Sequence, residues 1–133
     1  MGKYSSLETE IYSVFGSTAW KGENIPTFPA NFLVNNTNEY IRVSIIPSSP
    51  GVNLNSVSGI LLIDIFAKSG KGTKSINMIA DKLDDYLMGI SLLNDKDNIQ
   101  FFESNLTMRG TDKDNSSLYK ALYSIKFNFF RGV

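Results

Sequence analysis

The chain contains no cysteine and no histidine. Without cysteine there is no disulfide, no thiolate metal site and no cysteine nucleophile, a composition compatible with a reducing compartment. Without histidine the commonest general base and the commonest zinc ligand are missing. Ser-His-Asp and Cys-His catalysis are therefore excluded. Net charge is absent too, because 13 Lys and Arg balance 13 Asp and Glu. A nucleic-acid binder ordinarily carries a basic excess, so no specific nucleic-acid role is expected. No apolar run approaches ~20 residues, so no membrane span is expected. The opening MGKYSSLETE lacks the apolar centre of a secretory signal. The Asn-x-Ser/Thr triplets starting at Asn35, Asn105 and Asn115 then read as chance matches.

What is present is enough for one domain with its own core: 133 residues, 42% hydrophobic and 20% charged, with no linker, repeat or composition shift. Residues 5–15 read as a helix, with Ser5 and Glu8 in a capping-box pattern and Leu7, Ile11, Val14 and Phe15 on one face. Residues 16–37 are irregular by their Gly, Pro and Asn content, with Trp20 as a loop anchor packed on the core. Residues 39–47 alternate as a strand, Ile41, Val43 and Ile45 against Tyr40, Arg42 and Ser44. Residues 56–67 form a longer strand, apolar on both faces at its centre except for Asp64, so both faces must be covered by the protein or a partner. A helix over 73–88 buries Ile76, Ile79, Ala80, Leu83 and Leu87 and exposes Lys74, Met78, Asp81 and Asp85.

After a loop at 89–97, a third strand spans 98–109, with Phe102, Leu106 and Met108 on one face and Glu103, Asn105, Thr107 and Arg109 on the other. Residues 110–116 are a hairpin-like loop. The last strand, 117–131, sets Tyr119, Ala121, Tyr123, Ile125, Phe127 and Phe129 against Lys120, Ser124, Lys126 and Asn128. The order α-β-β-α-β-β predicts an α+β domain: a mainly antiparallel four-stranded sheet with two helices packed on it.

The segment SGKGTKS at 69–75 stands between a strand and a helix, where a phosphate-binding loop would. A Walker loop needs G-x-x-x-x-G-K-[ST]. Here Gly70-Lys71 is followed by Gly72, and Ile65 holds the position of the first glycine. The dinucleotide pattern fails as well, at Ser75. What survives is a helix start with Lys68, Lys71 and Lys74 nearby, an anion-attracting surface at most. The favoured reading is a turn with Gly70 and Gly72 giving freedom and Thr73 as cap.

Asp95-Lys96-Asp97 and Asp112-Lys113-Asp114 open like calcium loops, but both lack Gly at position six and Glu at position twelve. Asp81 and Asp85 lie on a solvated helix face. The aromatics of the last strand are segregated from its lysines by the strand period, so they form core rather than a base-stacking platform. No cofactor or metal motif and no catalytic constellation emerges.

Charge is unevenly spread. Residues 81–97 hold five Asp and two Lys, whereas 109–131 hold five Lys or Arg and two Asp. An acidic helix-loop and a basic C-terminal hairpin invite head-to-tail contact between copies, and heterologous contacts of that kind close into rings.

Four segments in order, STAWKGENIPTFP, EYIRVSIIPSSP, GILLIDIFAKSGKGTKSINMIADKL and the closing long strand, resemble the phage tail-terminator proteins. They are most similar to the minor tail protein U group. The helix segment Ile79-Ala80-Asp81-Lys82-Leu83 fits that group's pattern, while residues 90–117 contribute nothing distinctive. The resemblance implies a non-enzymatic virion protein at the head-proximal end of the tail, assembled in the host cytoplasm. It implies a homo-oligomeric ring, typically a hexamer, that stops tail-tube growth and joins the tube to a head-completion protein.

No interface residue is carried over from the family. Arg42, Asp64, Met78, Arg109, Lys120 and Lys126 are the candidate contacts with a neighbouring subunit or partner, and Lys68, Lys71 and Lys74 a candidate loop surface. A head-completion or neck protein is the alternative within virion assembly. A small anion- or nucleotide-binding module is the alternative outside it.

Overall fold

A computed structural model of the chain describes residues 2–29, 39–49, 56–68, 70, 73–89, 91–93, 97–111 and 118–130. Helix α1 (Lys3–Phe15) is followed by the single-turn α2 (Thr18–Lys21) and the short strand β1 (Thr27–Pro29). Strands β2 (Tyr40–Ser49) and β3 (Ser56–Lys68) precede helix α3 (Lys74–Leu87). Strands β4 (Ser91–Leu93), β5 (Asn98–Thr111) and β6 (Leu118–Phe130) complete the chain. The class is α+β, as the periodicities imply. The sheet has six strands in the order β1-β2-β3-β6-β5-β4. Every pairing is antiparallel except β1 with β2.

Two of these strands leave no mark in the sequence. β1 and β4 are three residues each, too short to show alternation, and each lies at an edge of the sheet. The stretch expected to be irregular therefore holds both a helical turn and an edge strand, and the loop expected at 89–97 contains β4. Of the hairpin-like loop expected at 110–116, Gly110 and Thr111 belong instead to β5 and 112–116 lie outside the described residues, while β5 and β6 pair antiparallel.

Helix α1 starts at Lys3, two residues before the expected 5–15 range, so its N-cap lies three residues ahead of the one the capping-box pattern implies. Gly2 takes the N-cap position with no side-chain cap, and Ser5 lies inside the helix, its carbonyl accepting from Thr9 Oγ1 at 2.9 Å. Thr73 holds the N-cap position of α3 but caps it with no side-chain bond. Its carbonyl accepts from the Asn77 amide instead, at 2.9 Å. Gly70 does carry the turn before it, at φ +86°, a conformation that costs L side chains free energy.

Both long helices lie on one face of the sheet. Leu7, Ile11, Val14 and Phe15 of α1 and Ile76, Ile79, Ala80, Leu83 and Leu87 of α3 join one cluster with the odd-numbered residues of β2, β3 and β6. That α3 stripe is the one its 3.6-residue period dictates. Each fully buried Leu or Ile there contributes about 1.5–3 kcal/mol. Trp20 is buried at the rim of this core, edge-on to Phe15 and Tyr86, and its indole N–H donates to Thr27 Oγ1 at 2.9 Å. It is an anchor, as expected, though set on a helical turn.

Strand β5 departs from its expected faces. Register shifts between Phe101 and Ser104, so two residues oppose one and the side-chain alternation changes phase. Ile99 and Phe101 are buried and Phe102 is exposed, whereas past the bulge Ser104 and Leu106 turn inward. Phe102 therefore does not share a face with Leu106. A second bulge lies between Met108 and Gly110.

Candidate interaction face of the sheet

The strand period that buries the odd residues of β2, β3 and β6 sends the even ones to the other face, on which none of the described helices packs. Cross-strand register lays this face out in rows. Ile46, Ile60 and Lys126 form one row, Ser44, Leu62 and Ser124 the next, then Arg42, Asp64 and Leu122, then Tyr40, Phe66 and Lys120. Two kinds of surface result. Ile60, Leu62 and Leu122 are half-buried and Ile46 is 44% exposed, an apolar patch. Beside it Tyr40, Phe66 and Leu118 are buried as a separate small cluster with Phe28.

The charged candidates converge on that small cluster. Lys120 Nζ lies 3.6 Å from Asp64 Oδ1, with both side chains partly exposed. In such a setting the pair contributes little to stability. Asp64 thus has the cation its apolar strand demands. Arg42 Cζ lies 5.4 Å and Lys120 Nζ 5.6 Å from the Phe66 ring centroid, within cation–π range. Tyr40 stacks on the same ring at 4.5 Å. Arg42 Nε is buried without a hydrogen-bond partner, a donor whose desolvation nothing described offsets. Arg42, Asp64 and Lys120 are therefore one engaged constellation rather than three separate exposed charges.

The other candidates lie apart. Lys126 is exposed two rows from Leu122 on the same face. Arg109 is exposed in the second bulge of β5, one strand from Lys120. Met78 is 52% exposed on α3, in the other layer. Lys68 and Lys74 are exposed at the ends of β3 and α3, and Lys71 lies outside the described residues. Of that loop the structure describes the turn at Gly70 and the two exposed lysines that flank it.

One cluster has no counterpart among the sequence candidates. Asp84 accepts hydrogen bonds from Ser104 Oγ and Tyr123 Oη, both at 2.6 Å. It ties α3 to β5 just past the bulge and to β6, beside an open groove of about 1180 Å³ that Met88, Phe102 and Lys126 also line. Burial, and then the bond to Asp84, push the Tyr123 phenol well above its ordinary value of 10.0. A signal was there: position 84 stands four residues after Ala80 and one turn before Leu87, within the apolar stripe. An acid in that place needs donors. On the same helix Lys82 pairs with Glu23 at 2.6 Å, and that bond holds the Glu23 carboxyl below its usual range.

Among the described residues there is no group of three or more acidic side chains placed to hold a metal, and no helix is long and apolar enough to cross a membrane. No family model matches the chain, and no curated protein does. A solved structure is similar to it over 95% of this chain and 92% of its own, at a TM-score of 0.63 and 12% identity. At that identity the likeness concerns the fold alone.

Proposed function

We propose that the protein is a phage tail terminator, a structural protein that caps the tail tube as a homo-oligomeric ring and offers the surface on which the head is joined. The single observation that carries this reading is the face of β2, β3 and β6 that the described helices leave free. A two-layer domain leaves Ile46, Ile60, Leu62 and Leu122 short of burial there, beside a charged constellation with a spare buried donor on Arg42. Such a face suits a protein that works by contact with other subunits. The ordered resemblance of four segments to the tail terminators names the kind of assembly.

The test is to add the purified protein to polymerising tail tubes and measure tube length by electron microscopy. Capped tubes of uniform length are expected, and particles lacking the protein should carry overlong, irregular tails. Normal tails beside unjoined heads would instead assign it to the neck. A chain that is monomeric at every concentration and leaves tube growth unchanged would end the reading.

A further inference from the structure

We infer that the outward face of α3 in one copy of the chain seats on the helix-free sheet face of the next, a head-to-tail contact. This inference rests on the ring reading above and says which faces meet. The two faces are complementary in charge. Across β2, β3 and β6 the helix-free face presents Arg42, Lys68, Lys120 and Lys126 against one carboxylate, Asp64, and Lys120 already faces that carboxylate. The outward side of α3 presents Asp81 and Asp85 in its second half. The cation between them, Lys82, is occupied by Glu23.

Both faces also carry apolar surface. Met78 and Met88 are exposed one turn to either side of Asp81 and Asp85, and Ile46 is exposed on the sheet. Asp81 and Asp85 stand ~6 Å apart along the helix axis. The Arg42 and Lys126 rows stand ~13 Å apart along the strands, with the Ser44, Leu62 and Ser124 row between them. Because one face is helical and the other is sheet, the contact is heterologous, so copies add in one direction and close where the rotation permits.

Charge reversal on each side tests it. One variant is Asp81→Lys with Asp85→Lys. The other is Arg42→Glu with Lys126→Glu, and Lys126→Glu alone serves as the milder version should loss of Arg42 disturb the Phe66 cluster. All are checked for wild-type folding by circular dichroism and read by sedimentation velocity over a wide concentration range. Each variant alone sets like charges against each other and should weaken self-association at least tenfold, since like-charge juxtaposition across an interface is strongly unfavourable. An equimolar mixture of the two should assemble again, because every contact between unlike variants is complementary.

If assembly occurs only on tail tubes, the same samples are read by capping, with the same pattern expected. If the wild type assembles and both reversal variants assemble equally well, or their mixture stays dissociated, the pairing of faces is wrong while the ring stands. If the wild type neither self-associates nor caps tubes, both readings fall.

Discussion

Substituting Gly59 tests the register on which the helix-free face depends. Gly59 pairs with Pro47 of β2 and Phe127 of β6. A Cβ built at Gly59 would overlap the Ile46 carbonyl oxygen and stand 2.9 Å from Phe127 Cζ and 3.0 Å from Pro47 Cα. Two of those three neighbours are backbone, and the third is a buried ring of the core. None can swing aside as a flexible side chain would, so the strands must part or the ring must leave its place. Overpacking of this kind costs about 3 kcal/mol. For a domain of this size 1 kcal/mol moves the melting temperature by roughly 3–5 °C, so Gly59→Ala should melt about 10 °C below wild type. Thermal denaturation followed by circular dichroism, with guanidinium unfolding alongside, measures it. Gly2→Ala is the control, because a Cβ there meets nothing within 4 Å and an N-cap change costs at most about 1 kcal/mol. Gly59→Ala melting within about 2 °C of wild type would refute the described approach of β2 to β3, and with it the rows that bring Arg42, Asp64 and Lys120 together.

Leu83 is fully buried in the α3 stripe, so Leu83→Ala should cost about 2–5 kcal/mol by chemical denaturation. Tyr123→Phe and Ser104→Ala each remove one bond to Asp84 and should each cost about 1–2 kcal/mol. Their double mutant should cost other than the sum, since both donors share one carboxylate oxygen. The raised Tyr123 phenol has a definite sign: the unfolded chain releases that proton near its ordinary 10.0, the folded chain later. The associated stability is whole below pH 10 and lost as pH rises through the folded value. Denaturation midpoints should therefore fall above pH 10, less steeply in Tyr123→Phe, and ultraviolet titration should show a tyrosine ionising only after the exposed ones.

Periodicity within an element is legible in the sequence alone. The buried stripes of α1 and α3, the alternation of β6 and the exposure of Asp81, Asp85 and Met78 all follow from 3.6- and 2-residue repeats, which are properties of short runs of chain. Parity even tells which residues of β2, β3 and β6 share a face. Where a local pattern is short or doubled, periodicity fails. β1 and β4 span too few residues to alternate. In β5, Phe101 and Phe102 are adjacent and both apolar, so nothing in the run says which one turns inward.

Those choices belong to pairing between distant segments. The bulge after Phe101 exists because β5 must stay in register with β6 over Phe127–Phe130 and again over Ala121–Ile125. That shift brings Ser104 to Asp84 and Tyr123, and it exposes Phe102. For the same reason nothing local in the sequence names the cation for Asp64. Arg42 and Lys120 come from strands on either side of β3, and only the register of those strands places Lys120 at the carboxylate and Arg42 over Phe66. Composition excluded histidine and cysteine chemistry, and periodicity settled the class of fold. Which charges meet, and which face of the sheet the described helices leave free, follows from long-range pairing that no window of sequence contains.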